Sequence, residues 1–348
     1  MEYLADYALF LAKSVTVLLV VFLVIAAGAN AAARGRRSFD GGRIETRRLN
    51  DVLEDMRDAL RSAAFDEKTL KKLHKDEAKA EKKRQKAAAN DDGRRPRTWV
   101  LNFDGDLAAT AVRALRNEVT AVLTLAEAGD EVLACIESPG GMVHGYGLAA
   151  SQLHRIRARE GLKLTVAVDK VAASGGYMMA CIGERILAAP FAVVGSIGVV
   201  AQIPNVHRLL KRHDIDVDVI TAGEFKRTLT IFGENTDKGR EKFVEEIEDV
   251  HRLFKAHVAE HRPALDIERV ATGEAWHGRQ AIDLGLVDEI TTSDEYIAAA
   301  CADRDVFEVK WTEPRSPVER LVHQGTDALS RALERTLLRW GDRSNWTG

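Results

Sequence analysis

Hydrophobic positions change their spacing along this chain, and each change marks a different kind of segment. The run SVTVLLVVFLVIAA, from Ser14 to Ala27, carries no charge. With Leu9 to Ala12 it approaches the roughly 20 apolar residues that cross a bilayer, and Lys13 sits near one end, where a long side chain can snorkel. Ala29-Asn30-Ala31 has the small-x-small pattern of a cleaved signal peptide. Glu2 and Asp6 against a lone Lys13 do not make a positive n-region, so a retained single anchor is expected. Arg34, Arg36, Arg37, Arg43, Arg47 and Arg48 follow the span. By the positive-inside rule they would keep the C-terminal bulk in the cytoplasm.

Leu49, Val52, Leu53, Met56 and Leu60 then recur at helical spacing, followed by LKKLHKDEAKAEKKRQKAAA. This reads as a solvated, partly helical stalk, with a basic collar against anionic lipid as the sharper alternative. Asn90-Asp91-Asp92-Gly93 and Arg94-Arg95-Pro96 mark a linker.

From Thr98 short apolar runs alternate with longer periodic segments. Trp99 to Phe103, Val132 to Glu137, Leu164 to Asp169, Arg185 to Ala189 and Val217 to Thr221 are expected as strands. Ala108 to Glu127, Tyr146 to Arg159, Asn205 to His213 and Asp237 to Arg262 have helical character. Strand–helix alternation argues for an α/β fold with a mostly parallel, buried sheet. Ile186 to Ile203 is apolar enough for a second membrane span, but Pro190, Gly195, Ser196 and Gly198 break it into buried strand and loop. Val318 to Leu338 reads as a C-terminal amphipathic helix.

At 348 residues, with 46% hydrophobic and 30% charged positions, the chain has material for a sizeable core, which excludes a wholly disordered or collagen-like protein. A net charge of −3 provides no global field for nucleic acid, and none is expected as a partner. Cys135, Cys181 and Cys301 are too few and scattered for a disulfide framework or zinc cluster, and read as small buried apolar residues.

No G-x-x-x-x-G-K-[ST] and no G-x-S-x-G occurs, which leaves a P-loop or an α/β-hydrolase unsupported. Three glycine-rich turns stand out instead: Ser138-Pro139-Gly140-Gly141, Ser174-Gly175-Gly176 and Gly195-Ser196-Ile197-Gly198. All would lie at carboxyl ends of strands, where open α/β sheets place their sites. Glycines there leave backbone N–H groups facing a ligand, as an oxyanion hole requires. Ser174 is placed as a nucleophile, or as an N-cap serine on a tight turn. A serine hydroxyl needs a base. His144, His207, His213 and Lys226 are all candidates, and spacing does not choose among them. A lysine starts near pKa ~10.4 and serves as a base only if burial strips its charge.

The strings SPGG, DKVAASGGYMMA, GSIGVV, GEFKR and GRQAIDLGLVDEI resemble the S49 signal-peptide-peptidase family of Ser-Lys membrane proteases. The likeness runs in order from Thr98 to Thr291, and more loosely through the N-terminal third. It implies Ser174 as nucleophile, Lys226 as general base, Ser196 as the serine that orients the lysine amine, and Gly141 and Gly175 as oxyanion donors. Clp-type proteases carry their histidine in the stretch that here reads Gly195 to Val200, where none is present. The implied fold is a ClpP/crotonase-like spiral of ββα units preceded by a transmembrane helix and charged helical stalk. The expected organisation is an anchor over 1–33, a stalk over 34–97, a catalytic domain over 98–300, and a strand and amphipathic helix over 301–348. The resemblance also implies a homo-oligomeric ring or dome and a bacterial inner-membrane location. The family faces the periplasm, opposite to the arginine signal. Neither cofactor nor metal is implied. Substrates would be peptides, including signal-peptide remnants.

Other readings differ in class. His257-Val258-Ala259-Glu260-His261 fits the H-x-x-E-H inverted zincin spacing, but the helix is densely charged, so a solvated face is the expectation. A membrane-tethered scaffold with an inert core would use the stalk and C-terminal helix instead. A crotonase-like acyl-CoA enzyme shares the fold, without a feature to favour it.

Overall fold

The computed structural model describes residues 41–76 and 95–313, together with Lys13, Thr16 and Lys79. Its strands are β1 (Arg43–Arg48), β2 (Arg97–Asp104), β3 (Glu131–Glu137), β4 (Lys163–Val168), β5 (Val171–Ala173), β6 (Arg185–Ala188), β7 (Val193–Gly195), β8 (Ala275–His277), β9 (Glu289–Ile290) and β10 (Asp305–Thr312). The helices are α1 (Leu49–Ala64), α2 (Val112–Leu125), α3 (Val143–Arg157), α4 (Gly175–Ala180), α5 (His207–Arg212), α6 (Asp237–His261), α7 (Ile267–Val270), α8 (Gly278–Asp283) and α9 (Ser293–Ala300).

The main sheet has the order β1-β10-β2-β3-β4-β6-β9, and every pair from β10 to β9 is parallel. Successive residues of its strands bury opposite faces. Trp99, Leu101 and Phe103 join the large core beneath α2 and α3, whereas Val100, Leu133, Ala167 and Leu187 pack under Tyr296 and Ile297 of α9. Burial on both faces is why these strands read as unbroken apolar runs rather than alternations.

A smaller sheet, β5-β7-β8, stands beside the first. The main sheet feeds it twice, from β4 into β5 and from β6 into β7, and these two strands pair in parallel with Ala173 opposite Gly195. Each crossing brings a loop end to the same edge.

Two expectations change. Helical spacing after Leu49 does produce α1, with Met56 and Leu60 exposed, but its start is not a free stalk. Asn50 Nδ2 donates to Cys301 O (3.2 Å) and Arg304 O (2.9 Å), and Asn50 Oδ1 accepts from Val306 N (2.8 Å). The first turn of α1 is thereby fastened to β10. No strand forms at Val217–Thr221. Ile215, Val217 and Val219 alternate with Asp214, Asp216 and Asp218, but an alternating segment needs a partner edge, and this one lies in a largely exposed stretch.

Among the described residues no helix is long and apolar enough to cross a membrane. The Ser14–Ala27 anchor, the linker up to Arg94 and the Val318–Leu338 helix lie outside the described residues, Thr16 excepted.

Candidate active site

The two sheets meet where three glycine-rich turns end. β3 runs into Ser138, whose N–H donates to Val171 O (2.8 Å) and whose carbonyl accepts from Ala173 N (3.0 Å), so the turn is laid along β5. Gly140 follows with φ +92°, a region L side chains avoid. A Cβ there would lie 2.7 Å from Ala173 O, from Gly175 N and from Ser174 Cβ. Only glycine lets the turn approach the Ser174–Gly175 peptide this closely. Its N–H donates to Ser138 Oγ (3.1 Å), Ser138 Oγ donates to Tyr146 Oη (2.5 Å), and Tyr146 Oη donates to Asp106 O (2.7 Å). Tyr146 is fully buried, and burial pushes its phenol up, with the Ser138 bond opposing, so the hydroxyl stays a donor.

Ser174 follows β5 with φ 53° and ψ −118°, outside the comfortable regions for a residue with a Cβ. Such a conformation costs of order 1–3 kcal/mol and persists only when its surroundings enforce it. They do. Ser174 N–H donates to Gly195 O (2.8 Å), and Ser174 O accepts from Met178 N (2.9 Å). All six residues of α4 are buried, and Tyr177 Oη donates to Leu286 O (2.9 Å). Ser174 holds the N-cap position of α4 yet caps nothing, and its half-buried hydroxyl makes no hydrogen bond among the described residues. An N-cap serine is selected for the bond this one lacks.

Ser196 is brought alongside. The β5–β7 register ends at the pair Ala173–Gly195, and Ser174 and Ser196 are the residues that follow on the two strands. It too has positive φ, 51°, fixed by donation from its N–H to Glu274 O (2.7 Å) while Gly195 packs on Trp276. Gly175 opens α4 and has no preceding helical carbonyl for its N–H. Gly141 N–H makes no hydrogen bond among the described residues, and a Cβ on Gly141 would strike Leu107 O at 2.2 Å.

Ser174, Ser196, Gly141 and Gly175 therefore share one edge. Lys226 is not in that hydrogen-bonded network. It lies on the exposed 199–235 segment, with its N–H bonded to Gly223 O (3.2 Å) and no side-chain hydrogen bond or ion pair among the described residues. His144 and His213 are exposed, and His207 Nδ1 donates to Phe232 O (3.3 Å). The histidine that does reach this edge is His251 on α6, donating from Nε2 to Ile197 O (3.3 Å). No motif singles it out, and Glu274 and Trp276 act through a backbone oxygen and a ring face that spacing does not encode.

An uncapped serine held strained at a strand–helix junction, with free backbone donors beside it, is the arrangement of an acyl-transfer hydrolase. The family model "Peptidase family S49 N-terminal" matches residues 2–153 and "Peptidase family S49" matches 156–306, and the chain belongs to the S49 peptidase family. It is 47% identical over 342 residues to the "Probable protease SohB" of Haemophilus influenzae, covering 96% of each chain. It is 42% identical over 310 residues to the protein of that name from Buchnera aphidicola of Schlechtendalia chinensis, covering 85% of this chain and 99% of the relative. The protein of that name from Buchnera aphidicola of Acyrthosiphon pisum is 49% identical over 235 residues, 68% of this chain and 70% of the relative. The fold is mixed α/β with one large sheet, and the family is one of peptidases.

Proposed function

We propose that the chain is a membrane-anchored serine endopeptidase with a Ser174–Lys226 dyad on a ClpP/crotonase-type spiral. Neutral Lys226 takes the proton from Ser174 Oγ as that oxygen attacks a peptide carbonyl. The oxyanion rests against the N–H groups of Gly141 and Gly175, and Ser196 Oγ orients the lysine amine. Collapse breaks the C–N bond, Lys226 returns its proton to the leaving amine, and water, deprotonated in turn by Lys226, releases the acyl group and restores Ser174. The observation that carries this reading is Ser174 itself, strained at an N-cap position with its hydroxyl unused.

Lys226 arrives on an arm whose apolar residues Val200 (91% exposed), Ile220 (93%), Phe225 and Phe232 face outward. Exposed apolar surface of this kind marks an interaction site. Copies of the chain pack through these arms in a ring or dome. The unpaired Val217–Thr221 alternation gains its partner there, and Lys226 is buried beside a serine of its own or a neighbouring copy. The apolar Ser14–Ala27 run anchors the enzyme in a bacterial inner membrane, and peptides left in or near the membrane, signal-peptide remnants among them, are the substrates.

Peptide cleavage by the full chain in detergent tests this. Ser174→Ala and Lys226→Ala are each expected to lower kcat about 10³-fold or more with the fold retained. Undiminished cleavage by either variant refutes the dyad.

A further inference from the structure

Outside the serine site, α6 packs across α4. The face bearing the H-x-x-E-H motif is not the solvated one expected: Phe254, Val258 and His261 are buried there and His257 is half-buried. The densely charged positions of α6 lie on its other sides. Beneath this face lies Cys181, fully buried at the C-terminal end of α4. A potential ligand atom of Cys181, one of His257 and one of His261 all lie within 4.8 Å of one another.

We infer that Cys181, His257 and His261 form a binding site for zinc or a similar thiolate- and imidazole-preferring divalent cation, tying α4 to α6. The hydrogen bonds prepare both imidazoles. His257 Nε2 faces Met178 O at 2.9 Å and His261 Nδ1 faces His257 O at 2.8 Å. A carbonyl oxygen only accepts, so both of those nitrogens carry hydrogen, which leaves Nδ1 of His257 and Nε2 of His261 with the lone pairs. A ligand imidazole held through its other nitrogen by a backbone carbonyl is the usual outer shell of a metal-bound histidine. Burial, the larger effect, holds the His257 pKa down, against the bond to Met178.

Cys181 brings the soft ligand that two histidines on one helix lack. Burial pushes its thiol up to about 12, so without metal it is protonated. On coordination the thiol proton leaves to solvent and a metal–sulfur bond takes its place. Two imidazoles and a thiolate match the ligand set of tetrahedral zinc. The fourth position faces a groove of about 430 Å³ lined by His154, Leu253, Phe254 and Glu260. His154 Nδ1 donates to the lone pair of His261 Nε2 (3.3 Å), a bond the ion would displace. Cys181 lies about 10 Å along α4 from Ser174, so the ion would pin the far end of the serine-bearing helix without touching the serine.

The test is metal retention by the purified full chain. The protein is stripped with a chelator, loaded with Zn²⁺ or Co²⁺, gel-filtered and analysed for metal. One equivalent of zinc per chain is expected. The cobalt form should show the thiolate-to-metal charge-transfer band and the strong visible absorption of four-coordinate Co²⁺. Cys181→Ser should abolish the charge-transfer band, and His257→Gln should weaken zinc retention roughly tenfold or more, each with native circular dichroism. His257 is half-buried, so its variant remains informative if Cys181→Ser fails to fold. Substoichiometric zinc in the parent chain, a cobalt spectrum without a thiolate band, or undiminished retention by folded His257→Gln overturns the site.

Discussion

Replacing Gly140 by alanine tests whether the SPGG turn is pressed against the serine. At φ +92° any Cβ costs about 1–2 kcal/mol in backbone strain. Gly140 adds an overlap, because its Cβ would stand 2.7 Å from Ala173 O, Gly175 N and Ser174 Cβ, about 0.7 Å inside the 3.4 Å at which ordinary contact begins. Two of those neighbours are backbone atoms and cannot swing away, so forced repacking adds about 1–3 kcal/mol. Gly129 is the matched control, with φ +89° and nothing within 4 Å of its Cβ position. Gly129→Ala should therefore cost only the backbone part. The gap between the two variants, about 2 kcal/mol, corresponds to roughly 3 °C in Tm for a chain of 348 residues, read by thermal unfolding. A displacement near 1 Å at the Ser174–Gly175 peptide should also lower peptide cleavage by roughly 10². If Gly140→Ala unfolds at the temperature of Gly129→Ala and cleaves at the parent rate, the turn does not abut the serine as described.

Tyr146→Phe removes the hydroxyl between Ser138 Oγ and Asp106 O and should destabilise by about 1–3 kcal/mol, measured by urea unfolding, because the fully buried Ser138 Oγ loses its acceptor. Asp288 loses solvent on folding, which pushes its carboxyl up, but Arg262 (2.7 and 2.8 Å) and the Ile186 N–H (2.7 Å) outweigh this and hold it below its ordinary value. A depressed folded value adds stability above the unfolded carboxylate range and loses it as pH falls through the folded value. The stability gap between the parent and Asp288→Asn should therefore be constant from about pH 5 to 7 and close below about pH 4, by denaturation at each pH. Ile220→Glu, at a position 93% exposed, should shift the fold's stability by less than about 0.5 kcal/mol while lowering both the assembly mass seen by light scattering and peptide cleavage.

The main sheet was legible because burial on both faces turns β2, β3, β4 and β6 into continuous apolar runs. The second sheet was not. β5, β7 and β8 span three residues each, too few for any periodicity, yet β5 and β7 lead directly into the two serines. The glycine turns betrayed the site instead, since close backbone approach leaves a mark in residue type where a short strand leaves none. The Val217–Thr221 alternation has a strand's spacing, but no strand forms there among the described residues. The face of α6 that bears His257 and His261 was misjudged because the helix is charged on its other sides, and nothing in the spacing reveals that Cys181 lies beneath it.

The most direct test of the central claim is reaction of the full chain with a serine-directed phosphonate, followed by peptide mapping. A single adduct on Ser174, absent from Ser174→Ala and strongly slowed in Lys226→Ala, is the predicted result. Peptide cleavage that persists while Ser174 stays unlabelled, or an adduct at another serine that abolishes it, would contradict the account.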